Sequence, residues 1–299
     1  MAINTFNVTS GANFIQETWS AEIEDAVQAE TNLSDLVDRR YEKEMKFGDI
    51  IRINDDANLA VRMKATDTTA TLSNATETQQ SITINLHAYC AFLVEDVFEL
   101  QAKYEIRSHK TEKISYALVS FIEGDLTSGL ASLPSSFSQT YGTLGVDPTQ
   151  DDLLACVNAL DTADVPQDGR FWYGGPSFQT ALLKMAVFTS ADYVGADAAA
   201  TAQKKGRVGR VYGAPVHIST LANNNPGSAG QSYVWYCHKR GVALIVQQAP
   251  KIHTDYTILE TGWTVLGNTI YNFAERLILP KTAASVTPND NFNSALAAA

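Results

Sequence analysis

The sequence predicts an α+β fold, with sheet and helix segregated along the chain. Three observations carry that reading. Between residues 82 and 94, Ile82, Ile84, Leu86, Ala88, Cys90, Phe92 and Val94 are apolar at every second position, which marks a strand with one buried face. At Glu95-Asp96 the period changes to about 3.6, the spacing of a helix, and Val97, Leu100, Tyr104, Ile114, Ala117, Leu118, Phe121, Ile122 and Leu126 follow it. From residue 149 the texture becomes short strands and helices punctuated by Gly and Pro.

The first segment, about 1 to 46, places Trp19, Ile23 and Val27 four residues apart with acids between them, then Leu33, Leu36 and Val37. It reads as one or two short amphipathic helices on a tether. Phe47-Gly48-Asp49-Ile50-Ile51-Arg52-Ile53 enters an extended strand, and Leu59, Val61, Met63 and Ala65 repeat the alternation seen at 82–94. Thr66 to Gln80 between them is rich in Thr, Ser, Asn and Gln, without Gly or Pro. Residues 47–94 therefore read as a long antiparallel hairpin with a polar tip. At about 3.3 Å per residue the 82–94 strand would run roughly 40 Å, about twice an ordinary strand. An arm ordered by a neighbouring subunit accounts for both its length and its composition.

The helix opening at Asp96 has Glu99 three residues on, a capping-box pattern, and Glu99 to Lys103 is a favourable pair. It is expected to run to about Ser132, roughly 55 Å. Next come a helix with Leu153, Leu154, Val157 and Leu160, a strand from Arg170 to Tyr173, and a helix started by Pro176 and carrying Phe178, Leu182 and Met185. Glycines 206, 209 and 213 punctuate short strands, 223–230 is a loop, and Tyr233–His238 and Val242–Gln247 are strands flanking a turn at Lys239-Arg240-Gly241. These form a second compact unit, about 149–246. Alternation resumes at Ile252, Thr254, Tyr256 and Ile258, then as strand from Thr269 to Ile278, returning to the long helix. Beyond Pro280 there is little to bury, and a loosely held tail is expected.

With 299 residues, 45% of them hydrophobic, the chain has material for one large core or two modest ones. It contains no run of about 18 apolar residues and no basic-then-apolar leader, so it is expected in the cytosol where it is made, with no membrane partner. Cys90, Cys156 and Cys237 lie far apart in apolar-patterned segments and read as reduced core residues. The net charge is -11, and Glu17, Glu22, Glu24, Asp25, Glu30, Asp35 and Asp38 all precede the first basic residue, Arg39. So acidic a chain is a poor tight binder of nucleic acid, although it can enclose nucleic acid without gripping it.

No motif carries chemistry. Gly206, Gly209 and Gly213 lack dinucleotide spacing and lead into Pro215-Val-His-Ile, a strand and not a phosphate-binding helix. The five histidines, His87, His109, His217, His238 and His253, never take metal-ligand spacing and read as hydrogen-bonded structural residues. Lys204, Lys205, Arg207 and Arg210 form the densest basic cluster, without the interleaved aromatics of a single-strand binder, and read as a solvated turn. Asp151-Asp152 suits the first turn of a helix and Asp55-Asp56 heads a loop. Neither catalytic, cofactor-binding nor metal residues are assigned, no cofactor is expected, and the chain reads as no enzyme.

The order of parts resembles the major capsid proteins of tailed bacteriophages, those with the Hong Kong 97 fold. The likeness spans essentially the whole chain. It rests on the acidic arm with Trp19; on Arg39-Arg-Tyr-Glu-Lys-Glu-Met-Lys-Phe-Gly-Asp-Ile-Ile-Arg-Ile entering the hairpin; and on Val94-Glu-Asp-Val-Phe-Glu-Leu-Gln leading into the long helix. Asp164-Val-Pro-Gln-Asp-Gly-Arg-Phe-Trp-Tyr-Gly-Gly-Pro and Gly206-Arg-Val-Gly-Arg-Val-Tyr-Gly-Ala-Pro-Val-His-Ile-Ser are similar to segments of that family's axial domain.

The resemblance implies an N-terminal arm at 1–46, an extended E-loop at 47–94, a spine helix and peripheral domain at 95–148, an axial domain at 149–246, and return strands with the C-terminal tail at 247–299. It implies self-assembly into pentamers and hexamers of an icosahedral shell around double-stranded DNA, in a virion assembled in the host cytoplasm. A separate scaffolding protein, a portal protein and a cement or decoration protein are its implied partners. Trp19, Arg39, Arg40, Arg62, Lys64, Asp67, Lys204, Arg207 and Arg210 are then the candidate contacts between subunits. Covalent crosslinking of the shell is not expected. Two other readings stand beside this one: a nanocompartment shell of the same fold holding enzyme cargo, and, from another class, a small-molecule enzyme domain at 149–246 using Asp151 or His217.

Overall fold

The computed structural model describes residues 28, 31–55, 61–70, 72, 78–101, 106–132, 140–141, 146–190, 206–222, 232–275 and 293–298. A short helix α1 (Leu33–Leu36) leads to strands β1 (Ile50–Asp55), β2 (Thr78–Thr83) and β3 (Leu86–Glu95). Helices α2 (Asp96–Gln101) and α3 (Ile106–Ser132) follow.

Among the described residues, α3 contributes to two of the buried clusters. Ile114, Leu118, Ile122 and Leu126 are buried at four-residue spacing, so one stripe of the helix faces the core along most of its length. Ile114 and Leu118 pack on Val265, and Ile122 and Leu126 enter a second cluster with Leu33, Val37, Phe171, Trp235 and Tyr271. The helix expected from Asp96 to about Ser132 is described as α2 and α3, and residues 102–105 between them, including Lys103, lie outside those described. The expected cap at Asp96 is a different contact: Asp96 is itself the first helical residue, and its carboxylate accepts the Tyr256 hydroxyl at 2.6 Å.

Under α3 lies a three-stranded antiparallel sheet in the order β3-β10-β9, built from β9 (Val242–Thr257) and β10 (Gly262–Glu275). At Gly267 of β10, an added Cβ would sit 2.3 Å from Ile114 Cγ2, so the absence of a side chain is what lets helix and sheet approach. The strands expected at 242–247 and 252–258 are one strand, because β9 pairs with β10 from Val242 opposite Glu275 to Thr257 opposite Gly262. Ile258 falls beyond its end, in a 3-10 turn.

The long strand expected at 82–94 is divided. β2 pairs antiparallel with β1, from Ile50 opposite Thr83 to Asp55 opposite Thr78, whereas β3 pairs with β10. The chain changes sheets at Ile84-Asn85, where the Ile84 N–H donates to Asp49 O at 2.7 Å and the Asn272 side chain donates to both Thr83 O and Asn85 Oδ1. Alternation persists through the change because each half presents its own apolar face. Ile51, Ile53, Ile82 and Ile84 pack with Met45, Ala243 and Ile245, and the even positions of β3 face the sheet core.

A six-stranded mixed sheet, ordered β4-β11-β8-β5-β7-β6, forms the other body. Its strands are β4 (Thr140–Tyr141), β5 (Arg170–Gly174), β6 (Arg210–Val211), β7 (Ala214–Ile218), β8 (Ser232–His238) and β11 (Asn293–Ala298). The two faces divide strictly by parity. Trp172 and Tyr236 face α4 (Gln150–Thr162) and α5 (Pro176–Lys184) together with Leu153, Leu160, Phe178 and Leu182, while Phe171, Tyr173, Trp235 and Cys237 face α3. Trp172 and Tyr236 stack at 4.2 Å between ring centres. A short helix α6 (Ala186–Thr189) follows α5. The N-terminus of α4 is a full capping box, Thr149 with Asp152, and Pro176 occupies the first turn of α5 as expected.

Tyr233–His238 and Val242–Gln247 are strands flanking a turn as expected, and the 3-10 turn Lys239–Gly241 passes the chain from the six-stranded to the three-stranded sheet. One further expectation is corrected. The tail expected to be loose supplies β11, antiparallel to β8 and parallel to β4. Its ladder satisfies backbone groups that β8 would otherwise leave as an open edge.

Candidate assembly surfaces

The hairpin base is anchored, and what lies beyond it is bare. Val61, Met63 and Leu72 are 99%, 102% and 90% exposed, and residues 61–65, expected as strand, carry no ladder pairing. Leu59 lies outside the described residues. Arg62 and Lys64 are exposed beside these apolar side chains. Asp67 turns the chain with a left-handed φ of 62°, and Thr68 donates from its hydroxyl to Ala65 O at 2.9 Å. Large apolar groups held in water mark a surface meant for a partner.

The second surface is the segment 31–45, clipped to the body by its backbone. The Asp38 N–H donates to Val242 O and the Leu244 N–H to Asp38 O, each at 3.0 Å, so one residue bridges β9. The Asp38 side chain, 3% exposed, accepts from the Arg40 N–H at 3.1 Å and from Arg40 Nη2 at 2.6 Å. This pairing raises the Arg40 pKa above its ordinary value, the hydrogen bond to Asp38 being the main cause. Arg39 reaches Glu42 at 2.7 Å and Asp35 at 3.5 Å. Both candidate arginines are thus engaged within their own chain.

Arg207 and Arg210 are exposed around the tight β6–β7 turn, where Tyr212 and Gly213 take φ of 48° and 83°. Two successive positive φ values suit a two-residue hairpin turn. Trp19, Lys204 and Lys205 lie outside the described residues. The seven described candidates thus lie on three separate segments, 39–40, 62–67 and 207–210.

Among the described residues no group of three or more His, Cys, Asp or Glu side chains is placed to hold a metal ion, and no helix is long and apolar enough to cross a membrane. His238 Nε2 donates to Asp168 O at 2.9 Å while Nδ1 accepts from the Arg240 N–H at 3.1 Å, and burial lowers its pKa. It is a structural residue, as are the buried Cys156 and Cys237; Cys90 is half-buried, and none of the three forms a disulfide among the described residues. Burial pushes the Cys237 thiol well above its ordinary range.

Sequence reasoning missed the turn at Ile258-Leu259 and the neighbouring Val97 and Leu100, all strongly exposed. Ile258 fitted an alternating pattern, and Val97 and Leu100 a helical stripe, so each read as interior. Two apolar residues adjacent in sequence, Ile258 and Leu259, break strict alternation and were the available signal.

No family model and no curated protein matches the sequence. The shape does find relatives. A structure from Mycobacterium phage Che8 superposes with a TM-score of 0.76 at 19% identity, covering 99% of this chain and 98% of the other. The capsid of the cyanophage P-SCSP1u gives 0.75 at 16% identity, covering 100% and 97%. The chain has the fold of a phage capsid subunit. The capsid of a native GTA particle shares it as well, with a TM-score of 0.67 at 11% identity over 100% of both chains. The capsid fold thus extends over the described hairpin, long helix and both larger sheets. It persists at identities where few side chains coincide, because backbone pairing and burial pattern define it.

Proposed function

We propose that this chain is the major capsid protein of a tailed bacteriophage, a structural protein and not an enzyme. On this reading 1–46 is the N-terminal arm, the E-loop expected at 47–94 ends where β3 begins, α2, α3 and the three-stranded sheet are the peripheral domain, and the six-stranded sheet with α4 and α5 is the axial domain of a Hong Kong 97-type subunit. Pentamers and hexamers of the one chain enclose double-stranded DNA, assembled with a separate scaffolding protein, a portal protein and a cement protein. The surplus of acidic side chains favours a wall that contains DNA without adhering to it.

The observation that carries this reading is the hairpin: anchored at its base by Ile51, Ile53, Ile82 and Ile84, yet holding Val61, Met63 and Leu72 in solvent. A neighbouring copy is the partner that such an arm needs. Each exposed ion pair on it contributes only about 0.2 to 1 kcal/mol, so cohesion comes from many repeated apolar contacts.

Negative-stain electron microscopy and light scattering of the purified protein, alone and with candidate scaffolding proteins, test the proposal. Closed shells of uniform size are expected. A monomer or dimer under every condition overturns it, and shells filled with protein cargo instead of DNA make the chain a nanocompartment subunit.

A further inference from the structure

The turn joining β9 to β10 projects an apolar knob. Ile258 is 80% and Leu259 96% exposed, and Glu260 follows them. Its base is braced. The Asp96 N–H donates to Thr261 O at 3.0 Å, the Thr257 and Thr264 hydroxyls meet at 2.7 Å, and the Tyr256 and Trp263 rings meet edge to face at 5.4 Å. Arg107 lies over the Trp263 ring at 5.2 Å and reaches Glu99 at 3.8 Å. Thr261 takes a left-handed φ of 44°, and at Gly262 an added Cβ would stand 2.6 Å from Val94 O. A turn so constrained presents its two aliphatic side chains in one shape, which lowers the ordering cost of binding.

Close by in the same half of the molecule, between β3, α2 and the first half of α3, is a groove of about 410 Å³. Cys90, Phe92, Phe98 and Ile114 line it, together with the ammonium-bearing Lys110 and Lys113. It is well above the roughly 150 Å³ that admits a benzene-sized group. Knob and groove match in two respects: aliphatic side chains face an apolar lining, and a carboxylate next to them faces lysines.

We infer that the groove of one copy receives Ile258 and Leu259 of a second copy, with Glu260 paired to Lys110. The inference rests on the capsid reading and adds to it the residues of one contact. Donor and acceptor are different surfaces, so where two copies do not engage reciprocally the contact propagates around a ring or across a shell instead of ending at two copies.

Cys90 makes the contact testable in the full-length chain. A Leu259→Cys, Cys90→Ser variant is mixed with wild-type chain, assembled at high concentration, oxidised, digested and mapped by mass spectrometry. Only a link between chains can then join position 259 to Cys90, and only if their Cα atoms come within about 7 Å. A 259–90 bridge is expected as the main crosslink. Separately, Lys110→Glu is expected to lower particle yield at least tenfold, and adding Glu260→Lys to restore it. No 259–90 bridge, or a Met63→Cys, Cys90→Ser variant bridging to wild-type Cys90 in its place, overturns the contact. Particles without the bridge leave the capsid reading standing, whereas a bridge without particles supports the contact and overturns that reading.

Discussion

The Tyr173 hydroxyl donates to Glu123 Oε1 across 2.9 Å, and through that bond β5 of the six-stranded sheet is tied to α3. The same oxygen accepts the Asn32 N–H at 3.1 Å, so one buried carboxylate joins three parts of the chain: the N-terminal segment, the long helix and the larger sheet. Glu123 Oε2 is buried and makes no hydrogen bond among the described residues.

Burial lifts the Glu123 pKa above its ordinary value, and the bonds from Asn32 and Tyr173 offset that only in part. The folded chain therefore holds this proton more tightly than the unfolded one. Its stabilising contribution is present below about pH 4.3, the ordinary glutamate value, and is lost as pH rises through the raised folded value. Glu123→Gln is expected to flatten the fall in Tm across that window, with Tm followed between pH 4 and 7. An unchanged slope in the variant would show that other groups govern it.

Asp38→Ala removes the acceptor of the Arg40 guanidinium while leaving the backbone bridge to β9. A hydrogen bond to a charged group is worth about 1.5 to 3 kcal/mol, and Arg40 is half exposed, so the lower end applies. A loss of about 1.5 kcal/mol in urea unfolding is expected, with earlier proteolysis of the segment 31–45 under native conditions.

Gly267→Val forces a side chain against Ile114. Overpacking of a close helix-sheet contact costs about 1 to 3 kcal/mol, and guanidinium denaturation should show that drop. The double variant Gly267→Ala, Ile114→Ala recovers part of it if the clash is the cause.

Replacing residues 58–75 by two glycines leaves Asp55 and Thr78 able to pair, since they face each other in the β1–β2 ladder. The shortened chain is expected to keep its circular dichroism spectrum and Tm within a few degrees, yet to form no closed shells by electron microscopy. Normal particles from it would remove the hairpin from assembly.

Local pattern alone determined much of this molecule. The alternation of β3, the four-residue stripe of α3, Asp151-Asp152 in the first turn of α4 and Pro176 at the start of α5 were legible because each depends on neighbours within one or two turns. The β1–β2 hairpin was legible only in part, from its polar tip, since the strand length that suggested an arm belongs to two different sheets. Tertiary structure decided which strands share a sheet. Nothing in Ile84-Asn85 announces that β2 ends and β3 begins, since the break is set by Asp49 and Asn272, distant in sequence. The small, polar tail became β11 because β8 offered an unpaired edge, and backbone hydrogen bonds read no side-chain pattern. Likewise the pairing of Arg40 with Asp38 and the exposure of Ile258 and Leu259 follow from where β9 lies, not from residue type. Periodicity reports which face of an element is apolar, while only the packed chain reports what covers that face.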